Sequence, residues 1–288
     1  MRGKDKWLPH CLGHEASGEV LKIGENVKKI KKGEKVILTW LKCEGIESKN
    51  PTFLDYKTTV NSGKITTFSN YAIVSENRVV KKPKFLNMKE AVLYGCALPT
   101  GFGMVINEII PRKQDKILLI GLGGIGMSVL IGLKAIRHKN VIIAEISDNK
   151  VSQAKRFGFK NAFNIRKINL KDKLIETFPE GIDICIETAG KIKTIEYGFS
   201  LIKEQGGKIF FASHPENGKK IKLNPHELIK GKCIYGSWGG KCNPDKDVPK
   251  IAQMIKKNRI NLNLMMNKVY SLEKINIALS DMKKGKVI

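Results

Sequence analysis

A glycine-rich hexapeptide carries the clearest chemical signal in the sequence. It lies between the apolar runs KILLI and MSVLIGLKAI and consists of Gly121, Leu122, Gly123, Gly124, Ile125 and Gly126. A glycine turn between a buried strand and a helix lets the backbone approach a pyrophosphate, and the helix N-terminus offers amide N–H groups to it. Glu145 ends the next apolar run, where a carboxylate accepts from ribose hydroxyls and disfavours a 2′-phosphate. This pattern predicts a site for NAD.

Two other short segments contain side chains that bind metals in proteins. His14 lies between Gly13 and Gly18 and is followed by Glu15, and Cys96 lies in the segment GCALPTGFG. Imidazole and thiolate are ligands that zinc prefers, and a nearby carboxylate can orient such a ligand or contact the metal. A single cysteine is more often a small buried hydrophobic residue, so neither segment is decisive by itself.

The first elements that must position these residues are short and β-rich. A polar loop is predicted at residues 42–67, and the glycine-punctuated apolar runs predict strands at residues 16–23, 34–40, 71–74 and 78–81. From residue 87 the apolar spacing becomes helical.

The rest of the chain follows an α/β pattern. From about residue 107 to 245, unalternating apolar strands alternate with helices, which indicates a parallel sheet covered on both faces. The remaining residues predict amphipathic helices at 249–257 and 272–282 around a strand at 267–270.

Length and composition exclude several protein classes. The 288 residues include 42% hydrophobic residues, which is too many for a disordered chain, and no apolar run reaches the roughly 18 residues of a membrane helix. The net charge of +25 could suit nucleic acid, but the lysines are spread along the chain, and the clusters at 28–35 and 81–84 flank apolar runs. We therefore expect no nucleic-acid or membrane partner.

The cysteines and the N-terminal sequence indicate the compartment. The first residues contain no apolar stretch of the kind that a secretory signal needs. No CxxC pair occurs among Cys11, Cys43, Cys96, Cys185, Cys233 and Cys242. Scattered cysteines in such a chain are typical of thiols in a reducing compartment, which predicts a cytoplasmic protein.

Taken together, the motifs resemble those of the zinc-containing medium-chain alcohol dehydrogenases. The run GHEASGEVLKIGENV matches their zinc signature, GCALPTGFG their second zinc-ligand segment, GLGGIG with Glu145 their NAD-binding turn, and SLEKINIALSDMKKGKVI their closing segment. The resemblance implies an α/β protein in which a GroES-like β-rich catalytic domain is joined to a Rossmann doubly wound parallel sheet. It places the catalytic domain at residues 1–106, the NAD-binding domain at 107–245 and a return segment at 246–288.

The resemblance also implies roles for individual residues. His14 and Cys96 would bind one catalytic zinc, with Glu15 as an occasional ligand, and Thr100 would contact the nicotinamide. The further NAD-binding residues would be Lys150, Thr188 and Ala189. The implied activity is hydride transfer between an alcohol or aldehyde and NAD(H), in a homo-oligomer, a dimer or tetramer formed through the edge strand at residues 233–236.

The sequence departs from the family pattern in three places. Only 13 residues precede His14, fewer than the family's first zinc-ligating cysteine requires, and the chain stops at Ile288 before a final strand. We therefore expect a chain truncated at both termini, either an incomplete copy or one with a wrongly placed start, in which Cys11 and His10 are the nearby substitutes for the absent ligand. Residues 42–67 contain only Cys43 where the family has four cysteines, so we expect no structural zinc.

Two other functions remain open from the sequence. The first is a zinc-free, quinone-reductase-like reductase of the same superfamily, which His14 and Cys96 together argue against. The second is a non-catalytic remnant or subunit that binds NAD. Cys96 occupies a position where the polyol dehydrogenase branch has glutamate, which favours the alcohol dehydrogenase branch.

Overall fold

A computed structural model describes residues 8–266 and 268–287. The described residues form two compact units: the first contains residues 8–99, 242–266 and 268–287, and the second contains Thr100–Lys241.

The described residues contain eleven strands and nine α-helices. The strands are β1 (Glu15–Glu19), β2 (Lys35–Thr39), β3 (Thr52–Asp55), β4 (Thr58–Asn61), β5 (Val79–Lys81), β6 (Ile117–Ile120), β7 (Val141–Glu145), β8 (Ala162–Asn164), β9 (Ile184–Glu187), β10 (Lys208–Phe211) and β11 (Cys233–Gly236). The helices are α1 (Met88–Ala91), α2 (Ala97–Gly103), α3 (Gly124–Ala135), α4 (Asp148–Arg156), α5 (Leu170–Thr177), α6 (Ile192–Leu201), α7 (Pro225–Ile229), α8 (Pro244–Lys257) and α9 (Ile275–Lys283).

Shorter helical segments separate some of these elements. A π-helix at Met104–Ile109 follows α2 directly. The 3-10 turns are at Glu76–Arg78, Val92–Gly95, Gly239–Lys241, Leu262–Met265 and Leu272–Lys274.

The first unit is built around a small antiparallel sheet in the order β1-β2-β5. Val20, Ile30, Val36 and Val79 form a buried apolar cluster beside it. Strands β3 and β4 form a separate hairpin in which Asp55 lies opposite Thr58.

Two sequence expectations for this unit are wrong. The loop predicted at 42–67 contains the hairpin β3–β4, whose two-residue turn has Tyr56 at φ 52 instead of the glycine or asparagine that marks such turns in a sequence. The strand predicted at 71–74 does not form. No described strand pairs with it, and Tyr71 and Ile73 are 75% and 63% exposed.

The second unit contains a six-stranded, wholly parallel sheet in the order β11-β10-β9-β6-β7-β8. Every residue of β6, β7 and β9 is buried, as the unalternating apolar runs predict. The strand order reverses between β6 and β9, and in open α/β sheets ligands bind outside the carboxyl ends of the strands at that point. The glycine turn follows β6 directly.

The return segment differs from its predicted form. Helix α8 begins at Pro244, before the predicted start at 249, because the Asn243 side chain accepts from the N–H of Asp245 and Pro244 occupies the first turn. Residue 267 lies outside the described residues, and residues 268–270 form no strand.

No single helix among the described residues is long and apolar enough to cross a membrane. Two consecutive helical segments, Met88–Gly95 and Ala97–Ile109, together have the length and apolar composition of a membrane span, but the chain bends by 57° between them.

A buried carboxylate holds three backbone segments of the first unit together. The side chain of Glu76, which is 6% exposed, accepts from the N–H groups of Lys28 at 2.7 Å, Lys29 at 2.5 Å and Ile46 at 2.9 Å. These hydrogen bonds, that of Lys29 above all, outweigh desolvation and lower the pKa of Glu76. The loop after Cys43, which contains Ile46, is therefore fixed by the carboxylate of Glu76.

Replacing Glu76 by alanine should lower the free energy of unfolding by about 3 kcal/mol, because three N–H groups lose their acceptor. The pKa of Glu76 lies below its ordinary value of 4.5 in the folded chain, so its stabilisation is complete above that value and is lost as the pH falls through the folded pKa. Urea unfolding curves at several pH values measure both effects.

The matched control is Glu25→Ala, which changes an exposed glutamate and should shift stability by less than about 0.5 kcal/mol. Equal unfolding midpoints for Glu76→Ala and the control would show that Glu76 does not hold the three segments.

Candidate functional site

The two predicted zinc ligands lie together in the first unit. His14 immediately precedes β1, Cys96 lies between the turn Val92–Gly95 and α2, and the His14 Nε2 atom is 3.2 Å from the Cys96 Sγ atom. Two ligands of one tetrahedral zinc, with Zn–N near 2.0 Å and Zn–S near 2.3 Å, are about 3.5 Å apart. The pair therefore has the spacing of two neighbouring ligands.

Glycines beside each ligand bring the backbone segments close. A Cβ atom on Gly95 would lie 2.5 Å from the carbonyl oxygen of Leu38 and 2.7 Å from the Cβ atom of Glu15. Gly13 has φ +91, and a Cβ there would lie 2.8 Å from the amide nitrogen of Phe68. Larger residues at 13 and 95 would displace the segments that carry His14 and Cys96.

Glu15, the occasional ligand that the resemblance implies, starts β1 directly after His14, and its side chain does not join His14 and Cys96 in a group that could hold a metal among the described residues. Its Oε2 atom is buried and has no hydrogen-bond partner among the described residues. Burial raises the pKa of Glu15 to about 7, although a hydrogen bond from the backbone of Ala97 lowers it. Burial also lowers the pKa of His14, which favours the neutral imidazole that binds metals.

A third metal ligand is not found in residues 8–266 and 268–287. No group of three His, Cys, Asp or Glu side chains that could hold a metal occurs there. Cys11, one of the two substitutes considered from the sequence, does not join His14 and Cys96 in such a group, and its amide N–H donates to the carbonyl oxygen of Asn61. The described residues fit two ligand positions of a zinc site.

The glycines of the turn after β6 have different surroundings. Gly121 has φ +90, and a Cβ there would lie 3.0 Å from the amide nitrogen of Ala189. A Cβ on Gly126 would overlap the carbonyl oxygen of Gly121. Gly123 faces open space and begins α3 without a side-chain cap, so the helix N-terminus, with Gly124 and Ile125 in its first turn, is open to an anion.

Glu145 ends β7 and holds the same turn from one side. Its carboxylate is 6% exposed and accepts from the N–H groups of Leu122 at 2.7 Å, Ile146 at 2.7 Å and Ser147 at 3.1 Å. The sequence predicts contact of Glu145 with a ribose but not this hydrogen bond to the glycine turn. Lys150 is half-buried in the first turn of α4.

Thr188 and Ala189 border the turn from the other side. The Thr188 hydroxyl donates to the carbonyl oxygens of Ile120 at 3.0 Å and Gly121 at 2.8 Å, and the Ser213 hydroxyl donates to the Thr188 carbonyl oxygen at 2.7 Å. The structure therefore places these two predicted residues against the glycine turn.

Thr100 lies in α2 and is the residue at which the second unit begins. It is 4% exposed, and its Oγ1 atom has no hydrogen-bond partner among the described residues. The hydroxyl is thus available to a bound group.

The sequence analysis missed Glu187, the last residue of β9. This side chain is fully buried, and its Oε1 atom accepts from the N–H groups of Ala189 and Gly190 and from the Thr194 hydroxyl. Burial raises the pKa of Glu187. An acidic residue that ends the apolar run ICIE is the signal that could have identified it, since Glu145 ends VIIAE in the same way.

Two family models match the chain. One is described as zinc-binding dehydrogenase and matches residues 124–257, and the other is described as alcohol dehydrogenase GroES-like domain and matches residues 1–84. The chain is 31% identical to alcohol dehydrogenase class-2 isozyme 2 of Oryctolagus cuniculus, in an alignment that covers 99% of this chain and 83% of the relative. It is 26% identical to alcohol dehydrogenase 6 of Peromyscus maniculatus, over 98% of this chain and 83% of that protein.

Solved structures show the same fold. Benzyl alcohol dehydrogenase from Acinetobacter calcoaceticus superimposes with a TM-score of 0.86 at 24% identity, over 97% of this chain and 83% of that chain. The α/β fold with a GroES-like domain and a six-stranded parallel sheet is therefore confirmed. The chain belongs to the zinc-type medium-chain alcohol dehydrogenases, a family of oxidoreductases.

Proposed function

We propose that the protein transfers hydride between an alcohol or aldehyde and NAD(H), with one catalytic zinc held by His14 and Cys96. The observation that carries this proposal is the 3.2 Å contact between His14 Nε2 and Cys96 Sγ, two atoms from residues 82 positions apart. Imidazole and thiolate brought together in this way suit zinc better than magnesium or calcium, which prefer oxygen ligands.

The first unit supplies the residues for the metal. His14 would bind as the neutral imidazole that its lowered pKa favours, and Cys96 as the thiolate. Glu15 follows His14 in the chain, and its buried Oε2 atom has no hydrogen-bond partner among the described residues. A zinc ion held here would supply Lewis-acid polarisation of the alcohol or carbonyl oxygen.

The second unit supplies the residues for the dinucleotide. The open N-terminus of α3 at Gly123 would take the pyrophosphate. Glu145 accepts three N–H groups, and because two carboxylate oxygens offer about four acceptor positions, one position remains for a ribose hydroxyl. Lys150 would lie near that ribose, and Thr100 would donate to or accept from the nicotinamide.

The proposal also includes an oligomeric state and a cellular compartment. Strand β11 is the outermost strand of the parallel sheet, so its second edge could pair with that of another copy in a dimer or tetramer. We place the protein in the cytoplasm, acting on a small alcohol or aldehyde.

One observation favours a second candidate function. The described residues provide no third metal ligand next to His14 and Cys96. A zinc-free reductase of carbonyl compounds would need only the dinucleotide site. Metal analysis distinguishes the two candidates.

The purified protein should contain about one zinc per chain and should form NADH from a panel of primary alcohols. Either His14→Ala or Cys96→Ser should remove most of the zinc and lower turnover by more than about 100-fold, the upper end of what the loss of an outer-shell partner costs. Elemental analysis measures the zinc, and absorbance measures the NADH.

Cys11→Ser is the matched control. Cys11 lies in the same unit but does not form a ligand group with His14 and Cys96, so this variant should keep both its zinc and its turnover. A metal-free wild-type protein that reduces a carbonyl compound would establish the second candidate. A protein that transfers no hydride in either direction would contradict both.

The glycine turn allows a test of the dinucleotide site that separates binding from folding. Gly123→Ala should leave stability unchanged within about 0.5 kcal/mol, because its Cβ meets open space, but should weaken NADH binding by intruding on the pyrophosphate. Gly126→Ala should destabilise the fold, because overlap with the Gly121 carbonyl exceeds the helix-propensity gain of about 1 kcal/mol.

Thermal unfolding and NADH fluorescence measure these two properties. If Gly123→Ala binds NADH as tightly as the wild-type protein does, the pyrophosphate does not lie at this turn.

The choice between NAD and NADP can be tested at Glu145. Glu145→Ala should weaken NADH binding, since Leu122 loses its acceptor, but should weaken NADPH binding less, since the charge that repels a 2′-phosphate is gone. The ratio of the NADPH to the NADH dissociation constant should therefore fall by about tenfold or more. An unchanged ratio would place the carboxylate away from the ribose.

A further inference from the structure

We propose that Glu187 is a positioning residue that fixes the segment 188–190 against the glycine turn and thereby sets the affinity for the dinucleotide. The inference rests on the proposed function, because it takes the dinucleotide as the ligand. Glu187 acts through the backbone of the following residues and has no contact with solvent.

The hydrogen bonds of Glu187 converge on one oxygen atom. Oε1 accepts from the N–H groups of Ala189 at 2.9 Å and Gly190 at 2.9 Å, and from the Thr194 hydroxyl at 2.6 Å. The acceptor therefore ties together the end of β9, the residues after it and the first turn of α6. Without it, two amide N–H groups of a tight turn would lose their partner.

The segment that Glu187 fixes is in direct contact with the glycine turn. The Thr188 N–H and hydroxyl both donate to the carbonyl oxygen of Ile120, and the hydroxyl also donates to that of Gly121. The Ala189 amide nitrogen lies only 3.0 Å from the place where a Cβ of Gly121 would be. A displacement of Ala189 would therefore move or loosen the turn.

The surroundings of the second carboxyl oxygen, Oε2, indicate that Glu187 acts as a hydrogen-bond acceptor and not as one partner of an ion pair. Oε2 is buried and has no hydrogen-bond partner, and no salt bridge among the described residues involves Glu187. The side chain thus acts as an acceptor without a compensating cation. Glutamine keeps an acceptor oxygen and the same length, whereas leucine keeps only the volume.

The arrangement is independent of the ribose-binding carboxylate. Glu145 holds the N–H of Leu122 from β7, on one side of β6, and Glu187 holds Ala189 and Gly190 from β9, on the other side. Loss of Glu187 should therefore change the affinity for the dinucleotide without changing the preference between NADH and NADPH.

The experiment compares Glu187→Gln with Glu187→Leu in the full chain. NADH binding is measured by fluorescence titration, with NADPH as the second probe. We expect the NADH dissociation constant of Glu187→Gln to stay within about threefold of the wild type and that of Glu187→Leu to rise by about tenfold or more. The NADPH to NADH ratio should stay constant in both variants, and an exposed glutamate, Glu204→Leu, is the matched control.

Amide hydrogen exchange of the protein without ligand measures how firmly Glu187 holds the residues that follow it. The amides of Ala189 and Gly190 should exchange faster in Glu187→Leu than in the wild type and at nearly the wild-type rate in Glu187→Gln. Thr194→Val, which removes one donor, should raise the NADH dissociation constant about threefold, and Thr194→Ser should not. These two variants decide the question if Glu187→Leu does not fold.

The outcomes separate this inference from the function on which it rests. If the wild-type protein does not bind NADH, the proposed function is refuted. The exchange rates of the amides at 189 and 190 then decide whether Glu187 positions this segment. A folded Glu187→Leu variant that binds NADH like the wild type, with unchanged exchange at 189 and 190, overturns the inference while leaving the proposed function intact.

Discussion

Buried carboxyl groups that accept backbone N–H groups organise both units of this protein. Glu76 joins three segments of the first unit, and Glu145 and Glu187 hold the loops that follow β7 and β9 on either side of the glycine turn. Glu145 and Glu187 end their strands and Glu76 begins a 3-10 turn, so each lies at a junction between regular structure and a loop whose amides lack ladder partners. Helices and strands form the regular part of each unit, and these side chains fix the loops between them.

The candidate sites differ in how complete they are. In the second unit the turn, the helix N-terminus and the flanking loops are fully built from described residues, and each backbone segment has a named partner. In the first unit His14 and Cys96 meet at 3.2 Å, and the described residues add no further ligand. Binding of the dinucleotide and binding of the metal are therefore separate experimental questions.

The sequence predicted features that depend on local pattern. The parallel sheet and the glycine turn were recognisable because apolar runs and glycine spacing are read within about 30 residues. The pairing of His14 with Cys96 came from the resemblance, since no local pattern joins residues that far apart. The hairpin at 52–61 was missed because its turn lacks glycine. The roles of Glu76 and Glu187 were missed because a sequence does not show whether a glutamate accepts from backbone N–H groups or from water.

The contact between Gly121 and Ala189 has a consequence for how this site can change during evolution. A Cβ on the glycine would lie 3.0 Å from the Ala189 amide nitrogen, so the space is too small for one unless Ala189 moves. A larger residue at 121 therefore requires a shift of the backbone at 189. Change at position 121 depends on the loop after β9, although the two residues belong to different loops.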